Sequence, residues 1–146
     1  YDQAIQHFQN IVAVEPNEFS SYRSLYTIYE QKQMYAEAFE AWLKTGMPPE
    51  IAEEFREIYR VSGWQGFLLK QLEYLEKKPE TKYGKSSALA NLYARLGKKD
   101  EAFAWLEKTF EERHISIIQF KVEPVYDSLR DDPRYAELVR KIGLQP

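Results

Sequence analysis

Two histidines, 23 carboxylates and three tryptophans are the side chains from which this 146-residue chain could build chemistry. A histidine acts as acid, base or metal ligand only with a partner in reach, such as a second histidine, a cysteine or a carboxylate at ligand spacing. His7 lies beside Phe8 in a helical pattern, and His114 sits at a helix exit, where the dipole favours a cationic ring. Neither has such a partner in a ligand pattern, so both read as structural. Cysteine is absent, which removes disulfides and thiolate metal sites and permits a reducing compartment. A glycine-rich phosphate loop, a nucleophile elbow and an HExxH helix are also missing. The expectation is therefore a non-enzyme without catalytic residues, cofactor or metal.

The carboxylates follow helix geometry. Glu50, Glu53, Glu54 and Glu57 form the densest run, and Glu50, Glu53 and Glu57 share one face by three-four spacing. A solvated face explains them as directly as a binding face does. Asp127, Asp131 and Asp132 lack the central glycine and terminal glutamate of a calcium loop, and fit caps and turns instead. Trp42 and Trp105 fall at core-facing positions. Trp64, next to Gly63 at a turn, is the aromatic expected to be most exposed and a candidate contact anchor.

What positions these residues is a repeat. A small or apolar residue recurs at Ala4, Ala38, Leu68 and Ala102, spaced 34, 30 and 34, with Phe8, Trp42, Leu72 and Leu106 each four residues later. Tyr29, Tyr59 and Tyr93 form a third ladder of the same period. Each unit holds two amphipathic patterns, as in Tyr22-Leu25-Tyr26-Tyr29 followed by Tyr35-Ala38-Phe39-Trp42. Gly63 and Gly97 lie four residues after their tyrosines, where a chain leaving a helix uses a left-handed residue. Pro16-Asn17 and Pro48-Pro49 punctuate between units, and Asn17 is the expected cap of the helix after it.

With aromatic-x-x-Leu-small-x-x-Tyr followed by Ala-x-x-x-aromatic, the sequence resembles the tetratricopeptide repeats. Tyr22-x-x-Leu25-Tyr26-x-x-Tyr29 with Ala38-x-x-x-Trp42 carries the pattern, as does Ser86-x-x-Leu89-Ala90-x-x-Tyr93 with Ala102-x-x-x-Leu106. Ala52-x-x-Phe55-Arg56-x-x-Tyr59 with Leu68-x-x-x-Leu72 is a degenerate copy. The implied fold is all-α: antiparallel helical hairpins stacked in a right-handed superhelix with a C-terminal helical cap. The repeats are expected over residues 1–113, with the second helix of one unit at 1–16 and units at about 18–47, 48–80 and 84–113. An extension at 114–146 carries the capping helix, with Asp132 as N-cap, Pro133 in the first turn and Lys141 with Gly143 at the end. Tyr26, Arg56 and Leu68 are bulky where hairpin helices should touch, so the middle hairpins are expected to splay or rotate.

The resemblance also implies a concave surface lined by the first helix of each hairpin. That places Arg23, Thr27, Glu30, Glu53, Glu57, Arg60, Ser87 and Asn91 toward a partner protein or peptide. Glu53 and Glu57 at mid-groove would repel an acidic peptide. The tail wording is similar to repeat segments of bacterial multi-domain regulators linked to winged-helix or protein-kinase modules, which implies contact with other domains of the same chain. Tyr1 runs straight into an amphipathic pattern, as in an excerpt of a longer protein, and Ile5, Phe8 and Val12 lack their usual neighbour. Self-association through residues 1–14 is expected to follow.

Composition sets the outer bounds. At 15% aromatic residues the chain must bury large side chains, which excludes disorder. A net charge of −3 with scattered lysines argues against direct nucleic-acid binding. No apolar run approaches the roughly 20 residues that cross a bilayer, and the start does not resemble a signal peptide. A cytoplasmic, membrane-free protein is expected.

Overall fold

The computed structural model describes residues 1–79 and 84–143, and among these all regular structure is helical. The last residue of the expected 48–80 unit and the final three of the 114–146 extension lie outside the described residues. The chain divides into two compact units, residues 1–67 and 68–146.

The first unit contains α1 (Asp2–Val14), α2 (Phe19–Gln31), α3 (Tyr35–Leu43) and the start of α4 (Pro49–Lys77), which is broken at Gly63. A nine-residue helix such as α3 is too short to persist alone. Ala38, Phe39, Ala41 and Leu43 are all buried, and α3 packs against α2. The turn between these two helices closes with Met34 N–H donating to the Tyr29 carbonyl at 2.9 Å. Gln33 holds the left-handed position in it, at φ 58°. The cap of α2 is Glu18, whose carboxylate accepts the Ser21 N–H at 2.6 Å, and not the expected Asn17. Starting the helix at Phe19 leaves Asn17 two residues upstream of it.

At Gly63 the backbone takes φ 59° and ψ −155°, a region open essentially to glycine alone. Twelve residues of unbroken helix would separate Phe55 from Phe67 by about 18 Å. Their ring centroids are instead 5.9 Å apart, so the chain reverses at Gly63. Phe67 then meets Phe39, Trp42, Tyr59 and Trp64 at centroid distances of 4.8–6.4 Å. Tyr59 stacks on Phe39 at 4.1 Å and 6°. This aromatic cluster is the core of the first unit. Arg56 is not at a helix contact: it is exposed and pairs with Glu40 at 3.1 Å. Tyr26 is buried with its ring 6.2 Å from that of Trp64, so its bulk is absorbed by packing.

The second unit contains the end of α4, then α5 (Lys85–Arg95), α6 (Lys99–Glu111), 3-10 turns at Ile115–Gln119 and Pro124–Leu129, and α7 (Pro133–Ile142). α5 and α6 form a hairpin closed at Gly97, φ 71°, where Lys98 N–H donates to the Tyr93 carbonyl. Asp132 caps α7 through the Arg134 N–H at 3.0 Å, Pro133 opens the helix, and Gly143 ends it in the left-handed conformation. All three are as the sequence implies.

The extension does not stand apart from the last hairpin. Ile117, Phe120, Tyr126, Leu129, Tyr135, Leu138 and Val139 share one buried core with Ala90, Ala94, Ala102, Phe103 and Leu106. The Pro124–Leu129 turn packs on α5, and α7 packs on α6. Tyr126, Tyr135 and Val139 each follow Tyr93, Ala102 and Leu106 by 33 residues. The repeat period therefore continues into the tail, with a 3-10 turn where a first helix would stand.

Candidate functional site

Each tyrosine of the ladder turns toward the preceding second helix. Gln9 Nε2 donates to the Tyr29 hydroxyl at 2.9 Å, Tyr59 stacks on α3, and the Tyr93 hydroxyl donates to Glu76 at 2.8 Å. Donation to that carboxylate, together with burial, pushes the Tyr93 phenol up to about 12. With the tyrosines committed inward, the other sides of α2 and of the first arm of α4 face solvent.

On α2, Arg23 and Thr27 are exposed and Glu30 is half-buried, at a spacing that keeps them on one side. The Thr27 hydroxyl donates to the Arg23 carbonyl at 3.1 Å. On the first arm of α4, Glu53, Glu57 and Arg60 are exposed. The Arg60 guanidinium grips Glu57 with two bonds, at 2.9 and 2.6 Å, which lowers the Glu57 carboxyl and raises Arg60. Glu53 and Arg23 remain available in this surface.

Ser87 and Asn91, on α5 in the second unit, are half-buried. The Ser87 hydroxyl donates to the Gly84 carbonyl at 3.1 Å. The Asn91 side chain hydrogen-bonds Tyr126 in the second 3-10 turn. Burial, followed by the charge of Glu123, drives the Tyr126 phenol strongly upward, while Asn91 and Arg95 oppose that shift. Burial likewise raises Glu123, against the pull of Arg95. Asn91 thus serves the internal contact between α5 and the tail.

His7 is exposed, with its ring edge-on to Phe8 at 5.5 Å. His114 caps the first 3-10 turn: its Nδ1 accepts the Ser116 N–H at 3.3 Å and lies 2.7 Å from the Ser116 hydroxyl. Among the described residues no group of three His, Cys, Asp or Glu could hold a metal ion. Asp127 pairs with Arg130, and Asp132 pairs with Arg134, which also reaches Asp100 at 2.8 Å. Trp64, expected to be the exposed anchor, is half-buried, stacked on Tyr35 at 4.9 Å and against Phe67 at 5.0 Å.

Charge is unevenly shared. Residues 1–67 carry five basic and ten acidic side chains, net −5, whereas residues 68–146 carry 15 and 13, net +2. The basic side chains of the first unit are largely engaged: Lys32 with Asp2, Arg56 with Glu40, Arg60 with Glu57, and Lys44 over the Tyr22 ring. No helix among the described residues is long and apolar enough to cross a membrane. No protein-family model matches the chain, and neither a curated protein nor a solved structure matches it.

Proposed function

We propose that the chain is a cytoplasmic protein-interaction module of tetratricopeptide type, its hairpins belonging to a right-handed stack. The outward sides of α2 and the first arm of α4 would engage a partner protein or peptide. The observation that carries this reading is the recurrent helix-turn-helix with inward tyrosines at 29, 59 and 93, which leaves α2 and the first arm of α4 a face unused by the fold, whereas the tail covers that of α5. Of the eight residues read toward a groove, Arg23, Thr27, Glu30, Glu53, Glu57 and Arg60 form the recognition surface in the first unit. Ser87 and Asn91 contribute less, because the tail already engages Asn91. The partner is a protein segment that is not strongly acidic, given the net −5 of residues 1–67.

The test is capture of partners from native lysate by this chain and by an equally folded Glu53→Lys/Glu57→Lys variant. A partner held by the chain and lost by the variant supports the reading. Retention by both sends the interface elsewhere.

A second reading has its own observation. α1 buries none of its residues, and Ile5, Phe8, Ile11 and Val12 are only half-covered. That favours a segment that packs on other domains of its own chain, or on further copies, within a bacterial transcriptional regulator or protein kinase.

A further inference from the structure

Three residues separate α2 from α3, and three separate α5 from α6, whereas Gly63 alone stands between the two arms of α4. Both arms are helical up to it, so the dihedrals of one residue decide whether α4 is two helices or one. Moving Gly63 from φ 59°, ψ −155° to ordinary helical values, about −63° and −42°, would make Pro49–Lys77 a single helix about 43 Å long. No proline between Pro49 and Pro79 opposes such a helix. The reversed form, by contrast, is tight at the break. A Cβ at Gly66 would lie 2.2 Å from the Ser62 Cβ, where residues four apart on a continuous helix hold their Cβ atoms about 5–6 Å apart. The reversal therefore requires glycine at both 63 and 66, and a straight helix requires it at neither.

Straightening in a lone copy would strip the core of the first unit. Phe67 would leave Phe39, Phe55 and Tyr59, whose ring centroids lie 5.1, 5.9 and 6.4 Å from its own, and Trp64 would leave Tyr35. A second straightened copy has the same vacancy and the same unburied rings, so two copies satisfy each other with contacts the single chain already makes. Such an exchange needs no new surface. We propose that Gly63 is a hinge at which α4 straightens and two copies exchange the chain beyond it, with Trp64 and Phe67 of each entering the aromatic core of the other. Glycine holds the reversed dihedrals at little cost, so the single chain prevails when dilute. The exchanged pair forms by mass action as concentration rises. It uses the inward contacts of α4 and not the outward surfaces proposed to bind a partner, so its failure would leave that reading untouched.

Light scattering after size exclusion, on the 146-residue chain from micromolar to millimolar concentration, tests it, with circular dichroism to confirm that each variant is folded. Gly63→Ala strains the reversed form and not the straight one. Because both copies contribute, the dimerisation constant is expected to rise about thirtyfold or more. Gly66→Ala, obstructed by Ser62 in the reversed form alone, is expected to act in the same direction and serves where Gly63→Ala does not fold. Two glycines inserted after Gly63 give the reversal a longer turn and are expected to return the chain to a monomer. In dimers refolded from isotope-labelled and unlabelled copies, nuclear Overhauser contacts are expected between Phe67 of one copy and Phe39 of the other. Folded Gly63→Ala and Gly66→Ala proteins that stay monomeric at millimolar concentration would overturn the proposal. So would a dimer that survives the insertion, or Phe39–Phe67 contacts found only within one copy.

Discussion

The slot four residues after each ladder tyrosine gives a test with opposite signs at chemically different residues. Gln33 and Gly97 follow Tyr29 and Tyr93 by four and end their helices with the same five-residue-back hydrogen bond, at φ 58° and 71°. Gln33 has a Cβ in the left-handed region, which costs about 1–2 kcal/mol. Gln33→Gly removes that strain but adds unfolded-chain freedom worth about 0.5–1 kcal/mol. The net expectation is a stabilisation of about 0.5–1 kcal/mol. Gly97→Ala runs the other way: an added Cβ would meet nothing within 4 Å, so only backbone strain enters and the loss is about 1 kcal/mol. Gly63→Ala also has open space, but its φ 59°, ψ −155° is a harder region, and the loss is about 1–3 kcal/mol. Urea unfolding followed by circular dichroism reads all three, as midpoint shifts at constant slope. A destabilised Gln33→Gly protein would show that residue 33 is not held left-handed, and would break the equivalence of the two turns.

Phe67 is fully buried among five other aromatic rings, so Phe67→Ala should cost about 3–5 kcal/mol in urea unfolding; a loss under about 1 kcal/mol would mean that α4 does not reverse at Gly63. A Cβ at Gly66 would lie 2.2 Å from the Ser62 Cβ, so Gly66→Ala should destabilise by about 1–3 kcal/mol and be partly rescued by adding Ser62→Gly; the absence of rescue would place the strain elsewhere. Glu18, held at about 2 by the Ser20 hydroxyl and the Ser21 N–H, lies below its ordinary 4.5. A depressed carboxylate contributes stability that is complete above about 4.5 and lost as pH falls toward about 2. The thermal midpoint of Glu18→Ala should therefore lie below that of the parent at neutral pH and converge with it at about pH 2; a constant gap would exclude the carboxylate as its source.

The sequence carried the hairpins because their signals are local. A tyrosine, a left-handed residue and a small residue at fixed offsets are each dictated by one turn or one helix contact, as at Tyr93, Gly97 and Ala102. The caps of α7 were equally legible at Asp132, Pro133 and Gly143. What escaped depends on distant partners. Trp64 looked exposed because its neighbours in sequence are a turn, yet Tyr35 and Tyr26 reach it from earlier helices. Arg56 sits at a repeat position reserved for small residues, but its charge is met by Glu40 at the surface, so no helix contact forms there.

The tail's place in the repeat was hidden because its first element is a 3-10 turn without helical periodicity, even though Tyr126, Tyr135 and Val139 keep the spacing. The same concealment explains Asn91. A helical wheel assigns it to the outside of α5, while the bond to Tyr126 comes from 35 residues later in the chain. Arg23, Thr27, Glu53, Glu57 and Arg60 were legible as outward residues because α2 and the first arm of α4 turn their apolar sides consistently inward.

Recognition through the first-helix surfaces of residues 1–67 can be read residue by residue, by amide chemical-shift mapping of the isotopically labelled chain as a captured partner is titrated in. Shifts are expected to concentrate on α2 and the first arm of α4, around Arg23, Thr27, Glu53, Glu57 and Arg60. Shifts confined to residues 115–143, with those two segments unmoved, would contradict it.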